Sequence, residues 1–374
     1  MAFTESMAAR IDAYVEDVVR PIAASMARGS GPRPHDVVSA AGEAGVAGLL
    51  TPTEYGGAGG THIAFASLIE AVARLDASTA VIVDVHVSVG TEPIILFGNE
   101  EQKSKYLPLL ARGEWAAGFA LTEPAGGSDA AALQTVAERT SDGYVLRGAK
   151  TFITNVGDAD LYVVMARTGE GARGISTFLV EGAWSGVKPG RPFEKQGLHG
   201  SWTGELVLDD VHVPDANRLG EEGEGFHVAM TALDSGRVGI SAQAVGIAQG
   251  CIDAVLESLK SECGTPGEVD EVSIADMEAW TVAARRLTLH AAAMVDEGQP
   301  VTRDASIAKL YATDAAVAVA TRAVDMCAPH SAREDHPAAV RLRDAKGLQI
   351  YEGTNQIQRV VIARQLLRDE WRRR

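Results

Sequence analysis

The chain has 374 residues, 46% of them hydrophobic and 22% charged, a balance that suits a globular protein of two to three domains. A formal net charge of −16 excludes a nucleic-acid partner, which needs a basic footprint, and argues against anionic membrane surfaces. The three cysteines, Cys251, Cys263 and Cys327, lack metal-ligand spacing and read as ordinary thiols of a reducing cytoplasm.

Residues 1–116 read as a helical N-terminal domain. Its first twenty residues carry Glu5, Asp12, Glu16 and Asp17 and no signal-peptide core, so the expected location is cytoplasmic. Ile11, Tyr14, Val15, Val18 and Val19 share one helix face, closed by Pro21. An apolar helix follows over Val37–Leu50, then a glycine-rich stretch from Glu54 to Gly60 that is expected to be a flexible connector. Phe65, Leu68, Ile69 and Val72 mark the next helix. The apolar run Ala80–Phe97 contains Asp84 and His86, which is expected to make it too polar and too short to span a membrane; no run is expected to be long enough.

Residues 117–224 change period. Tyr144–Leu146, Leu161–Met165, Ile175–Val180, Glu205–Leu208 and Val211–Val213 are short β-rich runs punctuated by glycine, which predicts a central antiparallel β domain. Residues 225–374 return to helical period. Runs at Val238–Leu259, Asp276–Asp296, Arg303–Cys327 and Asp344–Arg368 predict a C-terminal four-helix bundle, its last helix broken at Glu352-Gly353. The fold class is therefore α+β and multidomain.

Two stretches carry candidate chemistry. Gln349–Arg359 places one carboxylate, Glu352, before Gly353, which permits a positive φ; Thr354 or Asn355 can cap the following helix. A carboxylate among apolar neighbours tends toward a raised pKa and suits a general base, although a bend with a solvated Glu gives the same pattern. Phe119–Asp129 combines short hydroxyls, glycines and Pro124 and has the makings of a ligand loop or an ordinary turn. Asp234 and Arg237, three apart on a helix, can pair with each other. No metal cluster is visible among the scattered histidines.

Taken together, Tyr351-Glu352-Gly353-Thr354 and Thr122-Glu123-Pro124…Gly127-Ser128-Asp129 resemble the acyl-CoA dehydrogenase family, over about Ile22 to Leu367. The resemblance implies FAD as cofactor and Glu352 as catalytic base for an acyl thioester carried by coenzyme A or an acyl carrier protein. It implies flavin contacts from Phe119, Leu121, Thr122, Ser128, Phe152, Thr154, Gly353, Thr354 and Gln356. Substrate contacts would come from Ser128, Asp234, Arg237 and Tyr351. It also implies a homodimer or homotetramer and an electron-transfer flavoprotein as partner, and the alanine-rich helix Ile307–Val324 is expected to offer a face to another chain.

Two segments depart from the family pattern. Where an Arg-x-x-Phe-Gly segment would reach the flavin diphosphate, Ser261–Glu271 is short and acidic, with no arginine. Where a Gly-Gly-x-Gly loop would pack on the same cofactor, the chain reads Cys327-Ala328-Pro329-His330-Ser331-Ala332-Arg333. FAD is therefore expected to bind weakly or not at all. Alternatives to a working dehydrogenase are a flavin-free isomerase or lyase acting on an acyl thioester, and a non-catalytic subunit of a mixed oligomer.

Overall fold

The computed structural model describes residues 5–262 and 267–372. Cys263–Pro266, in the middle of the acidic departure, and Arg373 and Arg374 at the end lie outside the described residues.

The first third is helical. One long helix comprises α1 (Glu5–Ala13), a π-type stretch at Tyr14–Val19 and α2 (Arg20–Ala27). Next come α3 (Pro34–Glu43), α4 (His62–Leu75) and α5 (Ala77–Val85), which continues through a π-type turn at His86–Thr91 into α6 (Glu92–Phe97). The last of this group is α7 (Glu100–Ala111), opened by an Asn99/Gln102 capping box. Helix α4 forms because Thr61 caps its start, and Phe65, Leu68, Ile69 and Val72 recur on one face. All four are buried, each stabilising the fold by about 1.5–3 kcal/mol. The glycine-rich stretch is not a loose connector. Its amides are bonded back to earlier carbonyls, Ala58 to Gly48 and Gly60 to Leu49 among them, and a Cβ at Gly57 would lie 2.1 Å from the Thr51 carbonyl.

The middle third is an eight-stranded sheet: β1 (Ala117–Ala120), β2 (Val136–Arg139), β3 (Gly143–Thr154), β4 (Leu161–Arg167), β5 (Ile175–Glu181), β6 (Val187–Pro189), β7 (Thr203–Pro214) and β8 (Arg218–Leu219). The order is β6-β7-β3-β2-β4-β5-β8, with β1 pairing β4. Pairing is mostly antiparallel, but β1 and, at one residue pair, β2 run parallel to β4, a feature the periodicity did not indicate. Gly148 is a bulge inside β3, not a turn, so the strand continues to Thr154.

The last third is built on α8 (Gly225–Glu262), α9 (Glu268–Asp296), α10 (Thr302–Met326), α11 (Pro337–Leu348) and α12 (Asn355–Arg372). Helix α8 packs against α4, α5, α9, α10 and α11, so it is apolar nearly all round. The alanine face of α10 (Ala305, Ala308, Ala312, Ala316) is buried within the chain rather than offered outward.

Two helical runs, Ala77–Phe97 and Gly225–Ser261, are long and apolar enough to cross a membrane, contrary to the sequence expectation. Their most apolar windows are each 83% buried in the protein, so their apolarity is that of core helices.

Candidate functional site

A cavity of about 340 Å³ lies where the three parts meet: the α5–α6 run, the loop after β1, the end of β3, the N-terminal half of α8 and the turn between α11 and α12. The turn is shaped by its own residues. Glu352 adopts φ +54° and Gly353 φ +88°, both left-handed, so a tight bend projects the carboxylate inward. A Cβ at Gly353 would come within 2.6 Å of Gln358 Nε2, which donates to the carbonyls of Glu352 and Gly353. Thr354 is the cap, accepting from the Ile357 amide at 3.3 Å. Asn355 instead enters a buried network with Thr313 and Asp314.

Glu352 faces the cavity, yet both carboxylate oxygens are buried and lack hydrogen-bond partners. Burial raises its pKa to about 7, restrained by the charges of Lys309 and Arg237. Room for the carboxylate comes from Gly236 on α8, where a Cβ would sit 2.5 Å from Glu352 Oε2. Lys309 is wholly buried on α10. Its Nζ donates to Gly353 O and to Asn355 Oδ1, each at 2.9 Å. Burial lowers the Lys309 pKa to about 7 against the opposing pull of Glu352.

The loop after β1 is fixed by a buried ion pair. Glu123 accepts from Lys150 Nζ at 2.7 Å and from the amides of Gln134 and Thr135, while Lys150 also donates to Leu121 O. Burial lowers Lys150 to about 8; for Glu123 burial is outweighed by Lys150 and the loop donors, and its pKa falls. At the end of β3 the register with β7 is irregular between Lys150 and Ile153. Phe152, at φ +58°, is thereby turned outward at 66% exposure, its ring edge-on to Phe193.

Of the residues singled out in the sequence, Phe119, Leu121, Thr122, Ser128, Phe152, Thr154, Arg237, Tyr351, Glu352 and Gly353 all line this one cavity. Thr354, Gln356 and Asp234 do not. Gln356 is exposed on the first turn of α12. Asp234 accepts from Arg237 and from Thr302 Oγ1 at 2.6 Å, so the intrahelical pair is present. Tyr351 donates its hydroxyl to Gln243 Oε1. His86 is a core residue, between Leu110 O and the Ala117 amide, with its pKa lowered by burial to about 4.

Sequence reasoning missed Lys309, Lys150 and Gly236. Lys309 had a signal: it is a lysine on the face set by Ala305, Ala308, Ala312 and Ala316, where a cation needs a specific partner. Gly236 had none, because its need arises from a carboxylate more than a hundred residues away.

Three family models match in succession: the acyl-CoA dehydrogenase N-terminal domain over residues 4–114, the middle domain over 118–211 and the C-terminal domain over 223–367. An acyl-CoA dehydrogenase of Bacillus subtilis is 44% identical over 341 residues, 89% of this chain and 90% of that one. A chain in a structure of the electron transferring flavoprotein of Acidaminococcus fermentans superposes with a TM-score of 0.93 at 40% identity, over 98% of this chain and 100% of that one. An acyl-CoA dehydrogenase of Bacillus anthracis complexed with FAD gives a TM-score of 0.92 at 29% identity, over 99% of this chain and 68% of that one.

Proposed function

The chain belongs to the acyl-CoA dehydrogenase family, and from that premise we propose that it catalyses FAD-dependent α,β-dehydrogenation of an acyl-CoA thioester with Glu352 as the base. The observation that carries this is the Glu352 carboxylate: buried, unpartnered at both oxygens, held near neutrality in its pKa, and facing the shared cavity. Such a group takes an α-proton and can return it to solvent near neutral pH. A retained, tuned base of this kind also speaks against a non-catalytic subunit.

The residues present fit the reactive half of FAD. Thr122, Ser128 and Thr154 supply hydroxyls, and the outward Phe152 ring supplies an aromatic face at the cavity rim. FAD, when bound there, supplies the two-electron acceptor for the β-hydride. Phe119, Leu121 and Gly353 line the same cavity as further flavin contacts, and Tyr351 and Arg237, the latter braced by Asp234, line it as substrate contacts. Thr354 serves the site by capping α12, and Gln356 is read as a contact only for the cofactor's outer portion.

The far half of FAD fits less well. Glu268, Asp270 and Glu271 crowd the start of α9, and Pro329 offers no amide in the loop after α10. A charge-assisted arginine–phosphate contact is worth about 1.5–3 kcal/mol, so its loss weakens FAD by about tenfold to several hundredfold. A homodimer or homotetramer is supported by Val269, Val272 and Val282, exposed on α9. An electron-transfer flavoprotein is the proposed acceptor, and the proposed location is cytoplasmic.

The test is an ultraviolet–visible titration. The purified protein should take up added FAD, and acyl-CoA should bleach it. Glu352→Gln should bind FAD nearly as well and lose bleaching by at least about 10²–10⁴-fold. FAD that never binds, or a variant that bleaches at the wild-type rate, overturns the proposal.

A further inference from the structure

Asp84 is the one acidic side chain in α5, and it is fully buried. Its carboxylate lies against α8 at Gly239, where a Cβ would meet Asp84 Oδ1 at 2.1 Å and Oδ2 at 2.9 Å. Gly236, three residues earlier on α8, makes the matching space for Glu352 Oε2. Residues three apart share a helix face, so two carboxyl groups are seated side by side in adjacent glycine gaps of one helix. The single Ser88 hydroxyl proton is shared between Asp84 O at 2.7 Å and Asp84 Oδ1 at 3.0 Å, and Asp84 Oδ2 has no partner.

The charged surroundings decide which carboxyl keeps a proton. Lys309 from α10 and Arg237 from α8 act on Glu352. What acts on Asp84 is burial first and then the negative charge of Glu352, against one hydroxyl from Ser88. Tyr351, the other titratable group on the turn, is itself raised by burial and by both carboxylates. Charges on α2, α3 and α4, which also pack against α5, are engaged elsewhere or exposed: Glu70 with Arg285, Arg74 with Asp253, His62 with Glu92 and Asp296, His35 with Asp160, Asp36 with the Arg33 amide and Arg20 with Glu16, while Glu43 is exposed. His86, on the following turn, sits between Leu110 O and the Ala117 amide.

We propose that Asp84 is a positioning residue for Glu352: a carboxylic acid that stays protonated in the next glycine gap and limits the shared chamber to one negative charge, that of the base. This inference rests on Glu352 being the base. Two like charges cannot both be accommodated in such a space, and the group facing the cations ionises first. Ionising Asp84 as well would set a second negative charge beside the thioester as negative charge develops on it, and proton abstraction would slow.

Asp84→Asn is the matching neutral isostere, keeping the acceptor for Ser88. Infrared spectroscopy of the resting protein near neutral pH should show a protonated-carboxyl C=O band that Asp84→Asn removes and Glu352→Gln does not. In flavin bleaching, the wild type should show an acid limb from Glu352 and an alkaline limb from Asp84. Asp84→Asn should keep the first and lose the second. A purely structural Asp84 would change stability and leave both limbs. The proposal is overturned if no such band disappears, if both limbs survive, or if the acid limb moves downward, which would mean that Asp84 had carried charge. Should Asp84→Asn not fold, Asp84→Ser carries the same comparison. The infrared measurement needs no turnover, so it judges Asp84 even if no thioester bleaches the flavin.

Discussion

Lys309 Nζ donates a 2.9 Å hydrogen bond to the carbonyl of Gly353, the residue immediately after Glu352. A fully buried lysine thus anchors the backbone of the turn and lends its charge to the carboxylate that the turn projects. Lys309→Met removes both. Gly353 O keeps Gln358 and Asn355 Oδ1 keeps Thr313, so what is lost is the lysine's own charge-assisted hydrogen bonds, about 1–3 kcal/mol in a urea titration. The acid limb of the rate profile should move upward by about one pH unit, because the cation that favoured ionised Glu352 is gone.

Gly236→Ala separates stability from chemistry. Alanine favours a helix interior by about 1 kcal/mol over glycine, so the bundle should fold. Its Cβ would fall 2.5 Å from Glu352 Oε2, the far end of a flexible side chain, and the carboxylate will move rather than the helix. Displacing a base by about 1 Å can cost about 10²-fold. We expect normal circular dichroism, near-normal FAD uptake and a bleaching rate reduced by about that factor.

Lys150→Met should uncouple the loop after β1. Glu123 would keep the Gln134 and Thr135 amides but lose its buried counter-ion, and breaking such a pair costs about 3–5 kcal/mol. The expected result is a lower denaturation midpoint together with weaker FAD binding. Unchanged FAD affinity in the folded variant would show that the loop is held without the pair.

His62 should make stability depend on pH in the alkaline range. Its Nδ1 faces Asp296 and its Nε2 faces Glu92, both at 2.9 Å, linking the start of α4 to the end of α9 and to α6. Burial alone would lower its pKa, but the two carboxylates raise it to about 9 from 6.5. A raised folded-state pKa gives stability that is fully present below the unfolded value and is lost as pH rises from about 6.5 through about 9. The loss is about 3 kcal/mol. Urea titrations at both ends of that window should show it in the wild type and not in His62→Gln.

The sequence by itself determined the order of helical, β and helical parts, because burial period is written locally: every third or fourth residue in α4, every second in β7. It also singled out Glu352 with Gly353, since a carboxylate before a residue free to take positive φ is a local pattern. Tertiary structure decided what suits that carboxylate to the proposed role of base. Its neighbours are Lys309 and Arg237 from two other helices, and its space is an absent Cβ at Gly236. It likewise decided that Asp84, which in sequence only interrupts an apolar run, stands in the gap next to Glu352. Electrostatic coupling depends on distance through space and on loss of water, and neither is encoded in the spacing of residues along a chain.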